Sequence, residues 1–165
     1  MHYFKEMGII ILFVPLTVMM RLKNKIRISA LTLFLSIGSA FSSDGWLGSI
    51  PEAQKLSEET KKPLFIELTG SDWCPPCMMM EENVFSKNEF LKEARKHYIL
   101  VKIDIPQSDK ELSEKNQKVL EKYGVKGVPT VLLMGADGKE FSRFGASKFN
   151  TVEKMLSELE RQLRM

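Results

Sequence analysis

The sequence predicts an α/β domain with a central mixed β-sheet flanked by helices, behind an N-terminal signal peptide. Three observations lead there. Apolar, β-prone runs at 63–70 ("PLFIELTG"), 98–104 ("YILVKID") and 128–134 ("VPTVLLM") alternate with helical segments, a pattern that favours parallel strand pairing. The last run is followed by "ADGK" and a return run, "EFSRFG", and Asp137-Gly138 between them marks an antiparallel hairpin. The chain then closes on one apolar stripe, Val152, Met155, Leu156, Leu159 and Leu163, at helical spacing.

Residues 1–42 read as a leader and 43–165 as the folded domain. "MRLKNKIRISALTLFLSIGSAFS" opens at Met20 with cations, continues through an apolar run from Ile28 to Ala40, and ends in small residues. Those are the three parts of a signal peptide, with cleavage expected after Ser42. The rival reading, an uncleaved membrane anchor, is disfavoured because a span needs about 20 apolar residues. The upstream run "GIIILFVPLTVMM" is an extension if translation starts at Met19 or Met20.

Within the domain, "PEAQKLSEETKK" has helical composition, with Pro51 acceptable in a first turn. A helix is expected to follow Pro75 and Pro76. The segment from Ser86 to Tyr98 is a second helix in that region, with Ser86 and Glu89 in the spacing of a capping box. Residues 105–115 read as a solvated loop running into a helix, which Gly124 closes. The last helix is expected to start near Asn150 with Glu153 behind it.

The formal net charge is +3, from 24 basic and 21 acidic residues. Five of the bases and one of the acids lie in residues 1–42, which leaves 19 and 20 for the domain. The basic surplus therefore belongs to the leader, and the domain lacks the basic excess of a nucleic-acid binder.

The chain's two cysteines, Cys74 and Cys77, stand with two residues between them in "SDWCPPCMMM". A redox pair, half of a metal site and plain packing all compete for them. A structural zinc site needs four ligands, and the only histidines are His2 and His97. Haem attachment needs a histidine after the second cysteine, where Met78 stands. The methionines 78–80 read as core packing rather than copper ligands. Redox chemistry remains. Cys74 falls at a helix start, where the dipole and free N–H groups stabilise a thiolate, the nucleophilic form. Pro75 and Pro76 offer no N–H, so the Cys77 amide and thiol are the expected donors to the Cys74 sulfur. Trp73 is expected to shield the pair, with a core tryptophan as the alternative.

"DWCPPC" followed by "YGVKGVPTVLLMGADGKEFSRFGA" resembles the thioredoxin-like thiol–disulfide oxidoreductases, and "KPLFIELTGSDWC" is closer to their secreted bacterial members. The resemblance covers roughly residues 46–164. It implies a thioredoxin fold, a redox-active Cys74–Cys77 disulfide, Cys74 as attacking and Cys77 as resolving cysteine. It makes Pro129 the family's cis-proline, preceded by Val128, and Gly145 a flank of the same substrate groove. Trp73, Pro76 and Glu67 are supporting residues. One departure stands out. The family's buried aspartate, six residues before the attacking cysteine, is Leu68 here. Glu67 takes its place if the intervening turn holds one extra residue, and is otherwise a solvated strand residue.

The implied activity is extracytoplasmic reduction of protein disulfides through a mixed disulfide. No histidine lies between the cysteines, and the near charges in sequence, Asp72, Glu81 and Glu82, are acidic. Acids raise a thiol's pKa, which favours the disulfide and a reducing couple. A thiol oxidase or isomerase, or a non-catalytic binding or chaperone module, are the alternatives. The resemblance implies no metal and no cofactor beyond the disulfide. The partners it implies are disulfide-containing proteins of the periplasm or exterior and a membrane electron donor of the DsbD type. The chain is expected to act as a monomer.

Overall fold

The computed structural model describes residues 45–165. The leader and its cleavage site lie outside them. Helix α1 (Ile50–Thr60) starts at Ser49, whose hydroxyl accepts the Glu52 amide at 3.4 Å, with Pro51 in the first turn. It ends on Lys61 in the left-handed region, φ 61°. Strand β1 (Leu64–Thr69) follows. Helix α2 (Pro75–Met80) then widens into a π-helical segment, Glu81–Phe85. Helix α3 (Asn88–His97), strand β2 (Ile99–Asp104) and helix α4 (Lys110–Lys122) come next. Strands β3 (Thr130–Met134) and β4 (Glu140–Gly145), a 3-10 turn (Ala146–Phe149) and helix α5 (Val152–Leu163) complete the domain.

The four strands form one mixed sheet in the order β2-β1-β3-β4. β1 runs parallel to β2 and antiparallel to β3, and β3 pairs antiparallel with β4. The hairpin closes with Gly138 at φ 76°, a conformation that glycine adopts without steric cost. Leu47 bridges to the outer edge of β2, its N–H donating to Leu100 O and its carbonyl accepting from Lys102 N, both at 2.9 Å.

Every residue of β1 is buried, so its side chains alternate between two apolar layers rather than between core and solvent. Leu64, Ile66 and Leu68 pack with Ile50, Ala53 and Leu120 from α1 and α4. Phe65 faces the opposite layer, with Trp46, Met80, Val84, Phe85 and Phe90. Phe65 lies 5.9 Å from Trp46 and 5.8 Å from Phe85, ring centre to ring centre. Period two assigns Glu67 to the Phe65 side, the side that α2 covers.

Four local expectations need correction. Ser86 caps no helix: its hydroxyl donates to Glu81 O at 2.7 Å, and α3 begins after Lys87 without a side-chain cap. The last helix, expected to start near Asn150, begins two residues later at Val152, capped by Thr151, whose hydroxyl accepts the Lys154 amide. The third strand begins at Thr130, two residues late, because Pro129 has no N–H for a ladder. Of the three methionines, Met80 alone is core; Met78 and Met79 are each 43% exposed.

Candidate active site

The site starts where β1 ends. Gly70 accepts the amides of Trp73 (3.4 Å) and Cys74 (3.0 Å), turning the chain into α2. The turn needs a glycine for space: a Cβ on Gly70 would come within 2.5 Å of the Trp73 indole. Trp73 is not a core tryptophan. It is 39% exposed, and its Nε1–H donates to Ile105 O at 2.7 Å. Ser71 and Asp72 are tied to the same end of β2. Ser71 donates through its amide and hydroxyl to Asp104, and Asp72 accepts the amides of Gln107 and Ser108 at 2.8 Å.

Cys74 is the N-cap of α2 and is disulfide-bonded to Cys77. The Cys77 N–H donates to Cys74 Sγ at 3.3 Å and to Cys74 O at 2.9 Å. Prolines at the first two helical positions leave the Cys77 amide as the first that can turn to the sulfur. Both cysteines are buried, and Cys74 Sγ lies 3.9 Å from the carbonyl oxygen of Val128.

The Val128–Pro129 bond is cis. The flanking carbonyls are engaged within the chain: Gly127 O accepts the Thr130 hydroxyl at 2.6 Å, and Pro129 O accepts the Ala146 amide at 3.1 Å. A groove of about 710 Å³ brings Pro76, Val128, Pro129 and Gly145 together. A Cβ on Gly145 would meet nothing within 4 Å, so the glycine leaves open space there. The same groove draws in Lys126, Arg143 and Lys148, which the sequence reading did not single out. No local motif marks them, because they come from two separated stretches of chain.

On the other side lies Glu67, fully buried, which excludes the solvated alternative. Neither carboxylate oxygen has a hydrogen-bond partner, and Lys102 Nζ stands 3.8 Å from Oε2. Glu67 and Lys102 are register partners across β1 and β2. Burial pushes the Glu67 carboxyl up to about 8, against the lowering pull of Lys102. Lys102 is held closer to Glu81, at 2.7 Å. A cavity of about 320 Å³ beside Cys77 is lined by Thr69, Glu81, Glu82 and Lys102.

The acids near the cysteines in sequence are therefore partly compensated in space. Asp72 is held below the usual carboxylate range, chiefly by the Gln107 amide, and Glu81 pairs with Lys102. Among the described residues, no group of three or more histidine, cysteine or acidic side chains is placed to hold a metal ion. No helix among them is long and apolar enough to cross a membrane.

The family model of the thioredoxin-like domain matches residues 50–160, and the chain belongs to that family. Disulfide bond reductase DsbH of Chlamydia pneumoniae is 35% identical over 100 residues, covering 59% of this chain and 60% of that protein. Thioredoxin-related protein DsbJ of the same organism is 27% identical over 105 residues, 61% of this chain and 30% of its own length. The chain thus spans about three fifths of the first relative and less than a third of the second. Among solved structures, a DsbH oxidoreductase superposes with a TM-score of 0.65 at 27% identity, over 80% of this chain and 93% of that one. A thioredoxin from Thermus thermophilus shares the fold at a TM-score of 0.56 and 20% identity, over 72% of this chain and 86% of its own.

Proposed function

We propose that this thioredoxin-like chain is an extracytoplasmic thiol–disulfide oxidoreductase acting as a disulfide reductase. The observation that carries the reading is the Cys74–Cys77 disulfide at the start of α2, its Cys74 sulfur beside Val128 at an open groove. The likeness to Disulfide bond reductase DsbH supports the direction. So do the two prolines, which withhold amides that would further stabilise a Cys74 thiolate. The leader pattern in residues 1–42 supports export to the periplasm or beyond.

In the dithiol form, the Cys74 thiolate attacks one sulfur of a client disulfide. The client S–S bond breaks, a Cys74–client bond forms, and the departing client sulfur takes a proton. The Cys77 thiol then gives up its proton, and its thiolate attacks Cys74 Sγ. The mixed disulfide breaks, the second client thiol leaves, and the Cys74–Cys77 bond forms. Two electrons pass to the client, whose two sulfurs each take up a proton, balanced by the one Cys77 gives up and the one Cys74 lost on ionising. A membrane electron donor of the DsbD type then restores the dithiol.

Glu67 is the acceptor for the Cys77 proton in this scheme. Its carboxyl, raised to about 8 chiefly by burial, is a stronger base than an ordinary carboxylate. Val128, Pro129 and Gly145 form the shelf for the client backbone, with Trp73 as an apolar rim and Pro76 as its floor.

Equilibrating the pair against glutathione tests the direction. A reductase is expected near about −270 mV, and a value near about −120 mV would make the chain an oxidant instead. Insulin reduction with dithiothreitol as the electron source tests the activity: a binding module leaves the rate at background.

A further inference from the structure

We propose that the groove beside Cys74 selects client segments with acidic residues next to the reacting cysteine. The inference rests on the reductase reading and names the substrate class of that same site. The groove's charged lining residues are Lys126, Arg143 and Lys148, all basic. They do not echo the domain's average, which is 19 basic against 20 acidic residues over 43–165.

The three cations are not equivalent. Arg143 is neutralised by Glu140, with Nε and Nη2 donating to its carboxylate at 2.8 and 2.7 Å, and it also holds the Tyr123 and Gly124 carbonyls. It braces the groove wall. Lys126 and Lys148 are exposed and stand in no ion pair of the described residues. Lys126 precedes the Val128–Pro129 shelf by two residues, and Lys148 follows Gly145 by three. A backbone laid along that shelf has a cation near each flank. On the far side of the disulfide, the cavity behind Cys77 carries Glu81, Glu82 and Lys102, the lysine paired with Glu81. Lysine-rich clients meet repulsion at the groove, and acidic ones are drawn to the Cys74 side. Exposed charges act mainly on encounter, so the preference weakens as salt rises.

The test uses two fluorogenic disulfide peptides, identical except for aspartate or lysine on both sides of one cysteine. With dithiothreitol as reductant, kcat/KM is measured at low and high sodium chloride. The acidic peptide is expected to be favoured about fivefold at low salt, shrinking towards parity as salt rises. The K126E/K148E variant should invert the ratio, and the milder K126Q/K148Q should level it. Equal rates for both peptides, or a ratio that neither variant moves, overturn the inference and leave the reductase reading standing. Reduction of neither peptide removes the reductase reading and the preference with it.

Discussion

The two sulfurs of the disulfide face unlike surroundings. The Cys74 sulfur lies 3.9 Å from the carbonyl of Val128, a residue that lines a groove whose charged residues are basic. Cys77 backs onto a smaller cavity lined by Glu81, Glu82 and Lys102, and that lysine stands 3.8 Å from the buried Glu67 carboxyl. The first environment suits a polypeptide and a nucleophile. The second suits a proton. In the proposed cycle, two identical side chains three residues apart take different tasks from what the sheet places around them.

Replacing each sulfur in turn breaks the comparison most directly. Cys74→Ser should lower insulin reduction by at least about a thousandfold, since nothing else attacks the client. Cys77→Ser should instead trap clients as mixed disulfides, visible on non-reducing gels. If the trapping variant proves to be Cys74→Ser, the two sides are reversed.

Glu67→Gln probes the Cys77 side. Resolution of a preformed mixed disulfide should slow by about tenfold to a hundredfold, with little effect on the first attack. The same carboxyl predicts a stability profile. Its folded value, about 8, lies above its unfolded value, 4.5, so the folded state holds the extra proton between them. Stability is then full below about 4.5 and falls as pH rises through about 8. Thermal melts of the oxidised protein should show this decline, and Glu67→Gln should flatten it. An unchanged slope would mean that Glu67 does not carry the proton.

Gly145→Phe probes the Cys74 side, because the open space over that glycine admits a ring into the groove. The kcat/KM for protein clients should fall by about tenfold, while reduction of the bare disulfide by dithiothreitol holds its rate. Equal losses for both would place Gly145 outside the client's path. The smallest effect is expected at the rim. Trp73→Phe removes the bond to Ile105 O and should cost about 1 kcal/mol of stability, read as a shift in the denaturant midpoint.

Much of the fold was legible because its signals are local. The Asp137-Gly138 turn, the stripe on α5 and the glycine closing α4 each need only a few neighbouring residues. The cysteine pair was equally plain. Glu67 was not, because β1 is buried on both faces, and such a strand shows no contrast between inward and outward positions. The groove cations were invisible for another reason: Lys126 and Lys148 meet only after β3 and β4 fold back. Acids close in sequence misled for the same cause. Glu81 looks like a bare charge until β2 brings Lys102 within 2.7 Å.

The tether of residues 71–73 to the end of β2 has a consequence for turnover. Five hydrogen bonds fix three consecutive residues ahead of Cys74 to positions 104–108. A segment held at every step has little torsional freedom left to lose when a client arrives. In the disulfide form the cysteine loop is thus a rigid mount for the two sulfurs. In the proposed reductase cycle, a courier built this way loads and unloads at one fixed door.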